Sequence, residues 1–180
     1  MRIFKFFAFA LLGVLACVYF ASCSDDDDKN LSEELLGTWV CVESTYTNPT
    51  YRNENGFAVN DALIFFDGYF KSEDKLTSDL AGKKCFDVHG DAADDLSEYT
   101  ELKWNQMVEW YGDEQEFEPI YQVSGNTLSI IECDLDRYVG TFSVSGDELV
   151  FTYKYQNWKY ETGVMVGESE KSYVSKFVRK

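Results

Sequence analysis

The densest group of chemically capable side chains lies in the stretch DVHGDAADD, residues 87–95. Asp87, His89 and Asp91 are spaced two residues apart, so on an extended chain their side chains share one face. Carboxylates in a loop can bind Ca²⁺, but histidine is a poor calcium ligand and the spacing does not match an EF-hand. We therefore interpret the stretch as a solvated acidic loop, and we predict no metal site and no cofactor.

Catalytic chemistry has little support in the sequence. A serine or cysteine nucleophile needs a base, usually histidine, and His89 is the only histidine in the chain. No G-x-S-x-G, P-loop or G-x-G-x-x-G motif is present. Paired carboxylates hydrolyse glycosides, but a chain with 32 acidic residues always offers some pair, so this signal is weak. We predict that the protein is not an enzyme, and we assign no catalytic residue.

Aromatic side chains, which make up 17% of the chain, are the other candidates for a functional role. Filling the core is the simpler interpretation. The alternative is a pocket or surface platform that holds an apolar molecule or stacks on sugars. Trp104 and Trp110 are candidates for a lid or a binding edge. The candidate ligand-binding residues are Trp39, Phe65, Trp104, Trp110, Tyr121, Phe151 and Tyr153.

The N-terminus offers a different chemistry, the acylation of a cysteine. Arg2 and Lys5 precede an uncharged apolar run from Phe6 to Ala21. This run has about the length of a secretory signal segment and is shorter than the ~20 residues that a membrane-spanning helix prefers. Cys23 follows small residues directly, in an arrangement that resembles the bacterial lipobox, where the cysteine takes the lipid and becomes the mature N-terminus.

Cys17, preceded by VLA, fits the usual lipobox slightly better, but cleavage there would leave the apolar VYFA after the lipid. Cleavage at Cys23 leaves CSDDDD, a hydrated tether that also resembles the acidic sorting signal of some Gram-negative surface lipoproteins. Stable anchoring needs more than one acyl chain, with palmitate as an expected component. We predict a lipoprotein signal peptide over residues 1–22, an acidic tether over 23–31, and one domain over 32–180 on the outer membrane, facing the cell surface.

The overall composition limits the classes of partner. The formal net charge of −16 repels phosphate backbones, so we expect no nucleic-acid partner. Hydrophobic residues make up 45% of the chain, which predicts a folded core rather than a disordered acidic tail. Oligomeric state stays open.

Three cysteines remain in the predicted mature domain: Cys41, Cys85 and Cys133. They form either one disulfide with a spare thiol or three small buried side chains. The oxidising conditions that an exported protein meets favour a disulfide, and the sequence does not say which pair forms it.

Alternating apolar residues predict a sheet with one buried face. Leu149, Phe151, Tyr153 and Tyr155 alternate with less apolar neighbours. Other strands are predicted at 38–45, at 62–72 with a tight turn at Asp67-Gly68, at 83–88, on both sides of the turns at 124–126 and 146–147, and in the final SYVSKFVRK. Residues 92–110 suit a short helix, and a strand at NQMVEWY is equally consistent. The fold class is all-β, an up-and-down antiparallel barrel of about eight to ten strands.

Four features together give a resemblance to lipocalin-like lipoproteins of Gram-negative bacteria: CSDDDD, LLGTWV, IFFDGYF and the meander YQVSGNTLSII…GTFSVSGDELVFTY. The resemblance covers most of the chain outside residues 72–116. Gly37-x-Trp39 matches the motif that opens lipocalins and fatty-acid-binding proteins. The resemblance implies that Trp39 plugs the closed end of a calycin-type barrel and that a basic residue of the last strand, Arg179 or Lys176, packs over it.

Taken together, the sequence predicts a lipid-anchored, non-enzymatic binding protein of the bacterial outer membrane. Its lipocalin-like barrel is expected to bind a small apolar molecule. The alternative is a solid barrel that acts as an interaction module and binds a protein or a glycan through its outer face. A lined cavity would favour the first function, and a filled interior with an exposed aromatic patch would favour the second.

Overall fold

A computed structural model describes residues 31–45, 56–72, 80–111, 118–159 and 162–180, apart from the side chains at 91–92 and 109–111. Residues 31–35 form a helical turn. One longer α-helix, α1, spans Glu101–Tyr111, and two short 3-10 helices span Gly90–Asp94 and Leu96–Glu98. The strands are β1 (Gly37–Ser44), β2 (Ala62–Lys71), β3 (Ala81–Val88), β4 (Ile120–Ser124), β5 (Thr127–Ile131), β6 (Arg137–Ser145), β7 (Glu148–Lys159), β8 (Val164–Glu168) and β9 (Tyr173–Arg179).

The strands form one antiparallel sheet that closes on itself. β1 to β7 pair in chain order, β7 then pairs with β9, and β9 pairs with β1. The closed wall therefore has eight strands. β8 is an extra strand that pairs with residues 156–159 of β7, beyond the part of β7 that pairs with β9. This arrangement confirms the predicted up-and-down, lipocalin-like barrel.

The period-two pattern places alternate side chains inside the barrel. On β7, Leu149, Phe151 and Tyr153 are buried, whereas Val150 and Thr152 between them are less so. The same alternation in the other strands brings the inward side chains into one core. That core contains Leu35, Trp39, Cys41, Phe57, Leu63, Phe65, Cys85, Tyr121, Leu128, Ile130, Tyr138, Phe142, Leu149, Phe151, Tyr153 and Phe177.

A second core lies outside the wall, beneath the helical segment. Trp104 of α1 is buried against Phe70, with ring centroids 5.2 Å apart, and its Nε1–H donates to the carbonyl of Pro119 at 2.9 Å. Phe86 and Val88 of β3 face this second core, so β3 is buried on both faces. Of the two alternatives for residues 92–110, the helix is therefore correct, and it covers the barrel wall.

The Asp67-Gly68 pair does not form the predicted hairpin turn. β2 runs without interruption through both residues, and its register with β3 shifts between Phe65 and Tyr69. A Cβ atom at position 68 would lie 1.9 Å from Oε1 of Glu101, so any larger residue would require the Glu101 side chain to move where α1 approaches the strand. The dipeptide marks a bulge and a close approach rather than a turn.

The other predicted turns are confirmed. The chain reverses at residues 125–126 and 146–147. Gly125 and Gly146 have φ angles of 54° and 61°, a left-handed conformation that favours glycine. The predicted strand at 83–88 and the final strand are also present, as β3 and β9.

The favoured disulfide is absent, because Cys41, Cys85 and Cys133 are all free thiols. Cys41 on β1 and Cys85 on β3 both face the interior, but β2 separates their strands. Two strand spacings amount to about 9.6 Å, beyond the ~6.8 Å that separates the Cα atoms of a disulfide at most. Burial raises the pKa of Cys41 to about 11, so this thiol behaves as a small hydrophobic side chain.

The predicted signal peptide and Cys23 lie outside the described residues, as does the tether up to residue 30. Among the residues that are described, no helix combines the length and the apolar character needed to cross a membrane.

Candidate functional site

One end of the barrel is closed by Trp39. Its indole Nε1–H donates to the carbonyl of Leu35 in the preceding helical turn at 2.7 Å. The guanidinium of Arg179 stacks over the indole ring with Cζ 4.2 Å from the ring centroid. Arg179 also donates to the carbonyl oxygens of Leu36 at 2.5 Å and Glu34 at 2.8 Å. The resemblance implied this plug, and the basic residue that completes it is Arg179, whereas Lys176 pairs with Glu43 at 2.7 Å.

Strand direction separates this closed end from a polar end. β1, β3 and β5 all begin at the closed end, because neighbouring strands are antiparallel. His89 follows the end of β3 and Glu132 follows the end of β5, whereas Asp61 immediately precedes β2. Three ionisable side chains that lie far apart in the sequence therefore meet at the end of the barrel opposite Trp39.

The segment that leads into β2 inserts an aromatic side chain at this polar end. Phe57 is fully buried although it belongs to a connection and not to a strand. Its ring packs against Tyr138, Tyr153 and Phe177, with centroids 4.7, 5.4 and 5.5 Å away. Its backbone N–H donates to the hydroxyl of Tyr153 at 2.8 Å. Part of the interior is thus filled from the loop.

Asp61 fixes the loop that carries Phe57. One carboxylate oxygen accepts the backbone N–H of Ala58 at 2.8 Å, and the other accepts the N–H of Gly90 at 3.1 Å. Nδ1 of His89 also lies 2.8 Å from Asp61 Oδ2. Only 7% of the Asp61 side chain is exposed. The carboxylate therefore ties the β1–β2 connection to the segment that follows β3.

His89 also belongs to a compact triangle with Asp87 and Glu132. Each of the three side chains offers one oxygen or nitrogen atom within 4.8 Å of the other two. Nε2 of His89 lies 3.4 Å from Asp87 Oδ2, and the hydroxyl of Tyr138 donates to Glu132 Oε1 at 3.3 Å.

This triangle corrects our interpretation of the sequence around His89. Asp87 lies in β3 and its side chain is only 8% exposed, so it is not part of a solvated acidic loop. The third member of the triangle is Glu132, whereas the side chain of Asp91 lies outside the described residues.

The buried ionisable groups at this end shift one another's pKa values. Burial alone would lower the pKa of His89, but hydrogen bonds and negative charge from Asp61 and Asp87 outweigh it and raise the pKa to about 10. Burial raises the pKa of Glu132, and the nearby charge of Asp87 raises it further, to about 9. Burial would also raise the pKa of Asp61, but the bond to His89 lowers it below its usual range. At neutral pH, His89 is cationic and Glu132 carries a proton.

No family model matches the chain, and neither the curated proteins nor the solved structures contain a match. The fold is nevertheless clear from the pairing of the strands, and the closed barrel is compatible with a lipocalin-like calycin fold.

The residues predicted to bind a ligand fall into three places. Phe65, Tyr121, Phe151 and Tyr153 lie together inside the barrel, and Trp39 lies at its closed end. Trp104 belongs to the outer core beneath α1. Trp110 lies in α1, and its side chain is outside the described residues.

Sequence reasoning did not assign a role to Phe57, Asp61 or Glu132. For Asp61 and Glu132 the only local signal is a position beside a strand end, whereas Phe57 lies within a connection. A residue next to a strand end becomes informative once the strand directions are known, because those directions decide which strand ends share one end of a barrel. The site they form can bind a cation or share protons among its carboxylates, and it can receive an apolar group where Phe57 now lies.

Proposed function

We propose that this chain is a lipid-anchored, non-enzymatic binding protein of a bacterial outer membrane, and that its lipocalin-like barrel holds a small apolar molecule. The observation that carries the proposal is Phe57, a fully buried ring that a loop supplies to the interior. A bound molecule takes the place of this ring when the loop swings outward. The ligand then lies among Tyr138, Tyr153 and Phe177.

The barrel has a suitable size and lining for this role. Eight-stranded barrels enclose just enough space for side chains or for one small ligand. Here the inward side chains are largely aromatic, and Phe65 and Tyr121 pack edge-on with centroids 4.8 Å apart. Hydroxyl groups of Tyr153 and Ser175, 3.3 Å apart, add a polar point for orientation beside the Phe57 position.

Replacing Phe57 with alanine tests the proposal directly. The full chain, purified in detergent, is titrated with the apolar fluorophore N-phenyl-1-naphthylamine against a detergent blank. We expect wild type to bind the probe, and Phe57→Ala to bind it about tenfold more tightly, because the variant no longer has to displace the ring. Phe66→Ala is the matched control, since Phe66 packs in the outer core and its loss opens no interior space.

The result that contradicts the proposal is a correctly folded Phe57→Ala protein that binds the probe no better than the blank. Such a barrel would be solid, and the alternative function, binding through the outer face, would then be preferred. Near-ultraviolet circular dichroism establishes folding in each variant, because the interior aromatic rings give it a fixed-packing signal.

The anchor is proposed from the sequence alone and needs its own experiment. Metabolic labelling with an alkyne analogue of palmitate should mark wild type and Cys17→Ala but not Cys23→Ala. Mass spectrometry of the protein from its native membranes should give a mature chain that begins with acylated Cys23. The same native spectrum should reveal any ligand that co-purifies. Labelling that survives in Cys23→Ala would remove the anchor from the proposal without affecting the barrel.

A further inference from the structure

We propose that Asp87, His89 and Glu132 form a binding site for one divalent transition-metal ion. The site goes beyond the proposed apolar ligand and does not depend on it. Its three side chains come from the ends of two strands, and their ligand atoms all lie within 4.8 Å of one another. The site combines one imidazole with two carboxylates, and both kinds of ligand bind first-row transition metals in proteins.

The backbone positions the three ligands before any ion arrives. Asp87 and His89 are two residues apart on extended chain, with His89 at φ −115° and ψ 147°, so both side chains point to the interior face. Glu132 follows the inward-facing Ile130 by two residues and points the same way. Tyr138 donates to Glu132 Oε1 and thereby limits the rotation of the longest of the three side chains.

Asp61 provides the support that metal-binding histidines usually have. Its carboxylate lies 2.8 Å from Nδ1 of His89 and is itself held by two backbone N–H groups. This contact keeps a proton on Nδ1 and leaves Nε2 as the nitrogen that binds the metal. Nε2 is also the nitrogen that faces Asp87. The carboxylate–histidine pair therefore points its free nitrogen into the triangle.

The ligand set selects the kind of ion. Calcium and magnesium favour sites built only from oxygen ligands, whereas an imidazole nitrogen favours zinc and its neighbours. Tetrahedral zinc with ligands at about 2.0–2.1 Å needs ligand atoms roughly 3.3 Å apart. Since the observed spacing is up to 4.8 Å, the side chains must close inward by up to about 1.5 Å when the ion binds. A water molecule would complete the coordination.

Metal binding is an exchange with solvent, in which the imidazole and the two carboxylates coordinate the ion and release to water any proton that they carry. Access is available because 32% of the His89 side chain is exposed. The ion therefore has a route from solvent to a site that is otherwise largely buried.

The test measures zinc binding to the full chain in detergent after treatment with a chelator. Equilibrium dialysis should give about one zinc ion per chain for wild type. His89→Ala and Glu132→Gln should each weaken this binding at least 100-fold, because each removes a ligand. Asp61→Asn should weaken it 10- to 100-fold without removing a ligand. Asp67→Asn is the matched control, since its exposed carboxylate lies outside the site.

Thiols also bind zinc, so the variant Cys133→Ser is needed as a second control, and it should bind zinc as wild type does. The only histidine also gives a readout that needs no variant. In ¹⁵N-labelled wild type, zinc should shift the Nε2 resonance strongly and leave Nδ1 protonated. Zinc binding that is unchanged in Glu132→Gln, or an imidazole spectrum that zinc leaves unaltered, would overturn the proposal.

Discussion

The two ends of the barrel satisfy their charged groups in different ways. At the closed end, Arg179 lies on the Trp39 ring and donates to backbone carbonyl oxygens. At the polar end, His89 is held by the carboxylates of Asp61 and Asp87. The closed end therefore depends mainly on partners that never change their charge, since the one carboxylate near Arg179, that of Asp147, is exposed and 3.7 Å away. The polar end depends on groups that exchange protons.

This difference is our reason for proposing that the closed end is structural and the polar end is functional. Backbone carbonyls and an indole ring fix one geometry at every pH, as a plug requires. Ionised side chains in a buried site respond to protons and cations, as a binding site requires. The loop residue Phe57 strengthens the contrast, because it fills the polar end from a connection and not from a strand of the wall.

The largest expected difference between the ends comes from truncating their buried aromatic rings. Trp39→Ala should lower the free energy of unfolding by about 4 kcal/mol, because the strands around Trp39 cannot collapse into the cavity. Phe57→Ala should lower it by about half as much, roughly 2 kcal/mol, since the loop can rearrange. Urea denaturation followed by circular dichroism measures both.

A Phe57→Ala loss equal to that of Trp39→Ala would mean that the loop is as rigid as the wall. Phe142→Ala is a useful third variant. Phe142 is a buried wall residue on β6, so its truncation should resemble that of Trp39 rather than that of Phe57.

Asp61→Asn should have the next largest effect, a loss of about 3 kcal/mol at neutral pH. The substitution removes the charge that balances His89 and replaces a hydrogen-bond acceptor by a donor in a buried site. Thermal unfolding in the presence of a chelator measures the loss without any contribution from bound metal. Glu168→Gln, which removes an exposed carboxylate paired with Lys154, should change stability far less than Asp61→Asn does.

Arg179→Ala should lower the free energy of unfolding by about 2 kcal/mol, because it removes the stacking over Trp39 and two charge-assisted hydrogen bonds. Arg179→Lys keeps the charge but loses the planar fork, and it should recover less than half of this amount. Urea denaturation of both variants provides the comparison. Full recovery by lysine would show that charge alone matters at the closed end, contrary to our account.

The sequence was sufficient for most of the fold because the signals for strands and turns are local. Alternation in β7 and left-handed glycines at 125 and 146 act within a few residues. The failure at Asp67-Gly68 has a non-local cause: Glu101, on a helix far along the chain, approaches the strand at this glycine. No pattern within β2 contains that information.

The candidate site was much harder to predict than the fold. The plug of Trp39 and Arg179 was anticipated through a family resemblance, which carries three-dimensional information that the bare sequence lacks. The triangle had no such help, since Glu132 is distant in sequence from His89, and the two meet only because β3 and β5 lie on either side of β4. The favoured disulfide was also wrong, and for the pair Cys41 and Cys85 the cause is again the strand order, because β2 lies between the strands that carry them.

The smallest predicted effect is a dependence of stability on pH that originates at the polar end. His89 has a pKa raised from 6.5 to about 10, and Glu132 has one raised from 4.5 to about 9. In both cases the folded state holds its proton more tightly than the unfolded state does. The stability that these protons contribute is complete at low pH and is lost as the pH rises towards the folded-state values.

In a chelator, the free energy of unfolding should therefore fall between pH 6 and pH 9 by at least about 1 kcal/mol, since one unit of pKa shift corresponds to about 1.4 kcal/mol. In the acidic half of this range, Glu132 contributes the larger part of the pH dependence. The free energy of unfolding of Glu132→Gln should therefore fall less steeply with rising pH than that of wild type. Arg179→Ala provides the comparison with the closed end: it is less stable throughout, but its slope should equal that of wild type. If Arg179→Ala changes the slope of stability against pH and Glu132→Gln does not, the pH response originates at the closed end, contrary to our account.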